Sequence, residues 1–283
     1  MFAHNPFSEL SSLIPPIAMQ TYVIVMLFLV IGGTLLDMIH KKSAKYFFEN
    51  AEKAKKNRVR ELSSGDKVSI AVQTLLVDVL TSAEFCNQLR RVAHLFKMYG
   101  FITFIVTTML LIFKYPTPSQ PAPEILPVLW HIGALMVCAG GYVFWFFLRV
   151  DMASEGNRKF RLVRADMFIV SLLGTTTFAL LWSAMQSSGV EGWTTAFFIL
   201  FLISSTVLFG GVLWSKFAHM FFKPAAAYHK RTIKADGSLE NLPEMKELTD
   251  PELQKRFPDI PEYMGSTPPP MGLGIKREKP RHY

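Results

Sequence analysis

The chain has 283 residues, half of them hydrophobic (50%), 18% charged, with a formal net charge of +8 and only two cysteines. Cys86 and Cys138 lie 52 positions apart with no CxxC anywhere, which excludes an iron-sulfur cluster on the usual four cysteine ligands of one chain. No GxGxxG, phosphate loop, GxSxG elbow or HExxH helix is present, so the sequence offers no soluble catalytic domain, and any chemistry belongs to its apolar part.

That apolar part consists of five runs free of Asp, Glu, Lys and Arg: residues 17–36, 98–113, 125–148, 167–190 and 192–215. A hydrocarbon core needs about 20 helical residues, and buried helices of soluble domains have apolar runs nearer 10–14. The fold class expected is therefore all-α, a polytopic bundle of five transmembrane helices. The short second run counts as a span because Lys97 and Lys114 bracket it with side chains long enough to reach back to the surface. Residues 1–20 lack the basic stretch of a signal peptide, so the first run is expected to be a true span.

The segments between the runs alternate in charge. Lys and Arg number none in residues 1–20, eleven in 38–93, none in 115–124, five in 149–164, none in 188–193 and twelve in 216–283. The positive-inside rule then puts the N-terminus outside and the C-terminus in the cytoplasm. The domains expected are an outer segment 1–16, a membrane domain 17–222 with a cytoplasmic amphipathic and charged insert 41–91, and a polar cytoplasmic tail 223–283. Charges that flank spans suit anionic lipid or an acidic partner better than nucleic acid.

Within the insert, residues 41–66 are charged and expected to be helical. Residues 67–88 carry Val68, Val72, Leu75, Leu76, Val79 and Leu80 at helical spacing, an amphipathic helix for the membrane surface, a partner or the chain's own bundle. Pro116, Pro118, Pro121 and Pro123 stiffen the first outer connection, and residues 187–192 make a tight turn that pairs spans four and five as a hairpin. Beyond Pro224 the tail becomes polar and proline-rich, through Pro268, Pro269 and Pro270 to a basic end.

Histidines are the remaining candidates for chemistry. His4, His229 and His282 lie in polar termini and are expected to be solvated, and His40 closes span one beside Lys41 and Lys42. His94, His131 and His219 sit in or at the edges of spans, where a titratable group is costly enough to suggest a site. His94 opens span two and His219 follows span five, so both fall at one inner depth and could ligate a single b-type haem iron; the alternative is a pair of interfacial histidines. Arg90, Arg91, Lys97 and Lys216 lie within about a helical turn of them and suit haem propionates. Cys138, in mid-membrane, reads as a packing residue. For a quinone head group two sites qualify: Tyr99 on the inner side, which is favoured, and His131 beside Trp130 on the outer side.

The stretch RRVAHLFKMYGFITFIVTTMLLIF (90–113) and the segment LWSKFAHMFFKPAAAYHKR (213–231) resemble membrane subunits of heterodisulfide-reductase-like and quinone-interacting oxidoreductase complexes, a group related to the gamma subunit of respiratory nitrate reductase. The run from Asp66 to Arg91 and HIGALMVCAGG (131–141) are similar to the same group, so the resemblance covers roughly residues 66–230. It implies a five-span bundle, haem b between spans two and five, and electron exchange with quinone. Two-haem members carry further histidines where this chain has Phe104 and Phe201, so the resemblance implies one haem b on His94 and His219, or none.

Larger relatives carry their own iron-sulfur domain, which is missing here, so electrons would come from a separate cytoplasmic flavin and iron-sulfur enzyme. The nearest type within the group is the short membrane anchor associated with dissimilatory adenylylsulfate reductase, which implies a multi-pass subunit of a bacterial inner membrane. Two other classes stay open: a haem-free scaffold that only tethers the redox enzyme, and a small-solute transporter. Against the transporter, the chain shows no internal repeat and no acidic residue within an apolar run.

Overall fold

The computed structural model describes residues 2–41, 43–83, 85, 87–149, 162–215, 217, 219–238 and 248–265. Among these residues every regular element is helical. They form α1 (Pro6–Leu10), α2 (Pro16–Lys41), α3 (Ser43–Lys56), α4 (Ser64–Gln73, prolonged by a π-helical stretch Thr74–Leu80) and α5 (Gln88–Lys114). There follow α6 (Ile125–Val143, prolonged by Phe144–Leu148), α7 (Met167–Ser187), α8 (Glu191–Gly210), α9 (His219–Ala235), α10 (Pro251–Arg256) and α11 (Asp259–Met264).

Five of these, α2, α5, α6, α7 and α8, are long and apolar enough to cross a membrane. Each overlaps one of the five uncharged runs, and α5 starts at Gln88, ten residues ahead of the second run. The protein is thus an all-helical chain built for multiple membrane crossings. The fifth helix stops at Gly210 rather than 215: Gly210 and Gly211 together weaken the helix, and residues 211–215 close as turns. The insert differs from expectation too. Its first helix stops at Lys56 and the next starts at Ser64, behind a capping box in which Ser63 Oγ accepts from Asp66 N (3.1 Å) and Asp66 Oδ2 accepts from Ser63 N (3.0 Å).

The chain divides into two compact units, Met1–Tyr46 with Leu75–Ala226, and Phe47–Thr74 with Ala227–Tyr283. In the first, α5 packs on α6, α6 on α7, α7 on α8, and α2 against α8 and α5. Half of the most apolar window of α7 is buried against 17% for α2, which makes α7 the inner helix and α2 the most lipid-facing. Backbones approach closest between α5 and α6. A Cβ on Gly133 would fall 2.8 Å from Phe104 N and 2.9 Å from Gly100 O, and one on Gly140 would fall 2.5 Å from Ala93 O. Small residues let two spans dock where lipid offers no hydrophobic drive for helix pairing. The end of this bundle where α5 begins and α6 ends carries Arg90, Arg91 and Arg149 and is called the basic end below.

In the second unit, Val59 N and Arg60 N donate to Asp236 O (2.9 and 3.1 Å), and Arg60 Nε donates to Ala235 O (2.7 Å). These bonds cover carbonyls that the end of α9 leaves exposed. His229 is partly exposed, with its ring 5.3 Å from that of Phe47. The tail beyond 265, with His282 and the three prolines, lies outside the described residues.

Candidate functional site

His94 stands in the second turn of α5, half-buried. Its Nδ1 is hydrogen-bonded to Ser82 Oγ at 3.1 Å and its ring centroid lies 4.9 Å from that of Phe85. Two more of the candidate residues meet the same turn. Arg91 Nε donates to Thr81 O (2.7 Å) and Tyr99 Oη donates to Leu80 O (2.7 Å). Ser82 itself is 2% exposed and takes a left-handed φ of 49°, an uncommon conformation for a residue with a Cβ. Arg91, His94 and Tyr99 therefore share one structural neighbour, the 80–85 turn, which sequence spacing alone could not reveal.

The cations around His94 have different surroundings. Lys97 Nζ lies 3.9 Å above the Phe144 ring, a cation-π contact at the edge of the bundle. Arg90 makes a long contact of 3.5 Å to Leu148 O at the end of α6. Lys216 and Cys86 lie outside the described residues, and of His219 only the backbone, at the start of α9, is described.

His131 occupies a different environment. It is fully buried in α6, 0% exposed. Pro127 O, which can only accept, takes the Nδ1 proton at 2.7 Å, so in the neutral ring Nε2 accepts from Ser183 Oγ at 2.8 Å. Phe2 and Trp130 meet the ring edge-on at 5.3 and 4.8 Å. Both nitrogens are occupied and no face opens to lipid, so a quinone at His131 would have to displace Ser183. Nearby, Phe104 and Phe201 are 2% and 5% exposed within a cluster of rings that includes Trp130, Trp182 and Phe198. The volume between Phe104 and Phe201 is filled by aromatic packing.

Three features had no counterpart in the sequence reading. First, residues 2–10 fold over the end opposite the basic one: Asn5 Nδ2 donates to Tyr115 O (3.0 Å), His4 Nε2 meets Gln186 Oε1 (3.2 Å), and Phe7 lies edge-on to Trp130 and Trp182 at 5.7 and 5.2 Å. His4 is thus engaged rather than solvated. Second, Arg149 and Asp166 form a buried bidentate pair, with Nε to Oδ1 at 3.0 Å, an Nη2 to Oδ2 bond, and the guanidinium 4.0 Å above Trp145. Third, Asp37 near the end of α2 is 4% exposed. Cys138 Sγ meets Thr176 Oγ1 at 3.3 Å and Thr177 Oγ1 at 3.5 Å on the facing helix α7.

Among the described residues no group of three or more His, Cys, Asp or Glu comes together as a metal site. Comparison of the chain with protein-family models, with curated proteins and with solved structures finds no match.

Proposed function

We propose that this chain is the membrane subunit of a redox complex, anchoring a soluble flavin and iron-sulfur enzyme at the cytoplasmic face of a bacterial inner membrane and exchanging electrons with quinone. The observation that carries this reading is His94. It is an imidazole placed inside a span and fixed through Nδ1 by Ser82, with Arg90, Arg91 and Lys97 within about one turn of it along α5. Titratable groups within spans are costly and mark sites, and a hydrogen bond at one ring nitrogen is how a ligating histidine is usually oriented. The resemblance of residues 66–230 to quinone-interacting membrane subunits belongs to the same proposal.

The donor chemistry at His94 fits one axial ligand of a haem b, with His219 as the other. Such a haem supplies a one-electron carrier on the cytoplasmic side. Ser82 orients the imidazole, and the three cations supply the positive field that propionates need. Tyr99, 39% exposed at the lipid-facing surface, is the quinone residue of this proposal, because His131 is enclosed. A quinone there would compete with Leu80 O for the phenol proton.

A second reading, a haem-free anchor, draws on a different observation: Arg91, His94 and Tyr99 all fasten the 80–85 turn, which is sufficient employment for each. The two readings part in one experiment. Protein purified from haem-replete cells should show a reduced alpha band with close to one haem per chain, lost in His94→Leu. A folded, colourless preparation leaves the anchor alone.

A further inference from the structure

Residues 75–83, the last part of the insert before α5, are bonded to side chains of α5 well beyond its first turn. α7 and α8 have 21 and 20 residues, about 30 Å at 1.5 Å per residue, which is the thickness of a hydrocarbon core, so their ends mark its two faces. At the basic end that face is also marked by the Arg149–Asp166 pair, and Arg90 reaches Leu148 O beside it. The close approaches between helices carry this level across the bundle. Gly140 abuts Ala93 and Lys97, and Gly141 abuts Leu173. His94 is therefore level with the Cδ2 tip of Leu173, six positions beyond Met167 at the start of α7; since that side chain leans back toward Met167, the level is about 6–9 Å inside the face.

Tyr99 lies five positions further along α5, about 13–16 Å inside the face and toward the middle of the core. Helical side chains lean toward their own N-terminus, which brings the phenol back part of the way toward the basic end. Even so, Leu80, bonded to Tyr99 Oη, and Ser82, bonded to His94, lie within the hydrocarbon level rather than on its surface.

The hydrogen bonds of the segment point the same way. A helix end leaves carbonyls unpaired, which water would satisfy outside a membrane but which must find protein donors inside one. Here four of them do, and Val79 O has Ser82 Oγ at 3.5 Å. Val77 O accepts from Ala83 N (3.2 Å) and Thr81 Oγ1 (2.6 Å), Leu80 O from Tyr99, Thr81 O from Arg91 Nε, and Ser82 O from Phe85 N (3.2 Å). Two of these donors, Arg91 and Tyr99, come from the neighbouring span. The opposite side of the segment is apolar and open, with Leu75 and Leu76 54% and 52% exposed and Val77 and Leu80 beside them, while Asp78 and Val79 are half-buried.

We propose that residues 75–83 form a re-entrant segment that dips into the bilayer from the basic end, is capped by Arg91, His94 and Tyr99, and turns Leu75, Leu76, Val77 and Leu80 to lipid acyl chains. The occupant is lipid because the depth set by Tyr99 and His94 lies between the two faces that α7 and α8 define. This inference stands on membrane insertion alone and holds with or without haem.

The test uses the full chain in nanodiscs of phosphatidylcholine and phosphatidylglycerol, with Cys86→Ser and Cys138→Ala as background. Nitroxide labels are placed on Leu76→Cys and Leu80→Cys, with Ile203→Cys, 55% exposed on the spanning helix α8, as the lipid control and Lys53→Cys as the aqueous control. Accessibility to oxygen and to a water-soluble nickel chelate is then measured. Both leucine sites should match Ile203, with nickel access at least fivefold below that of Lys53. Nickel access equal to Lys53 would place the segment in water, and low access to both reagents would mean that protein covers this side; either result overturns the proposal. Val77→Cys reads the same side should a leucine variant fail to fold.

Discussion

Replacing Gly133 by Ala tests the geometry on which the bundle rests. The added Cβ would stand 2.8 Å from Phe104 N, 2.9 Å from Gly100 O and 3.1 Å from Phe104 Cα, all backbone atoms that no rotamer change can move. To restore ordinary carbon contacts α5 and α6 must separate by most of an ångström, and their packing along the whole interface loosens with them. Overpacking of this kind costs about 1–3 kcal/mol. At about 2–4 °C per kcal/mol for a chain of this size, the midpoint of thermal unfolding in detergent should fall by roughly 2–12 °C. Gly32→Ala is the control, since a Cβ there meets nothing within 4 Å on the lipid-facing α2. A Gly100→Ala, Gly133→Ala double variant should lose less than the sum, because both residues press on one contact. An unchanged midpoint for Gly133→Ala, or an equal fall for Gly32→Ala, would refute the reasoning.

Asp166→Ala leaves Arg149 buried without its bidentate partner and should cost toward the low end of about 3–5 kcal/mol in the same assay, since Trp145 still covers the guanidinium. The Ser63 side chain, and then its backbone N–H, hold Asp66 below its ordinary range, so the capping box adds stability above a free aspartate's pKa of about 3.9 and loses it as pH falls through the lowered value. Amide exchange at residues 64–67 should accelerate over that acid window, and Asp66→Asn should abolish the dependence. Topology reporters fused after Pro118 should read as periplasmic and those after Asn157 or Gly237 as cytoplasmic; one reversed site would overturn the orientation assigned from the basic residues.

The five spanning helices were legible because length and absence of charge are properties of a single segment, and a bilayer imposes both. The ends of those helices were less so. Span five closes at Gly210, where two glycines outweigh three further apolar residues, and the charged helix of the insert breaks at Lys56, ahead of the Ser63–Asp66 box. The α5–α6 interface left a trace in Gly133 and Gly140, seven residues and two turns apart on one face of α6, though only the coordinates say which helix meets them. The Arg149–Asp166 pair left none: neither residue is periodic with anything, and their partnership depends on the fold of α6 against α7.

The 80–85 turn shows the limit most sharply. A stripe of apolar residues at helical spacing predicts an amphipathic helix, and Leu75, Leu76 and Leu80 are indeed on an open side, but the pattern carries no information about depth. Depth is set by Tyr99 and His94, and no residue between Thr81 and Phe85 is of the type that usually announces a left-handed turn; Ser82 adopts it with its hydroxyl bonded to His94. The same bond bears on function. If His94 ligates iron, Ser82 is the group that fixes the ring, and Ser82→Ala should shift the potential or spectrum of the bound haem while leaving it in place. If His94 only fastens the segment, Ser82→Ala should loosen residues 75–83 toward faster amide exchange with no cofactor to perturb. One substitution thus separates an oriented ligand from a fastening, because the hydrogen bond is common to both and only its consequence differs.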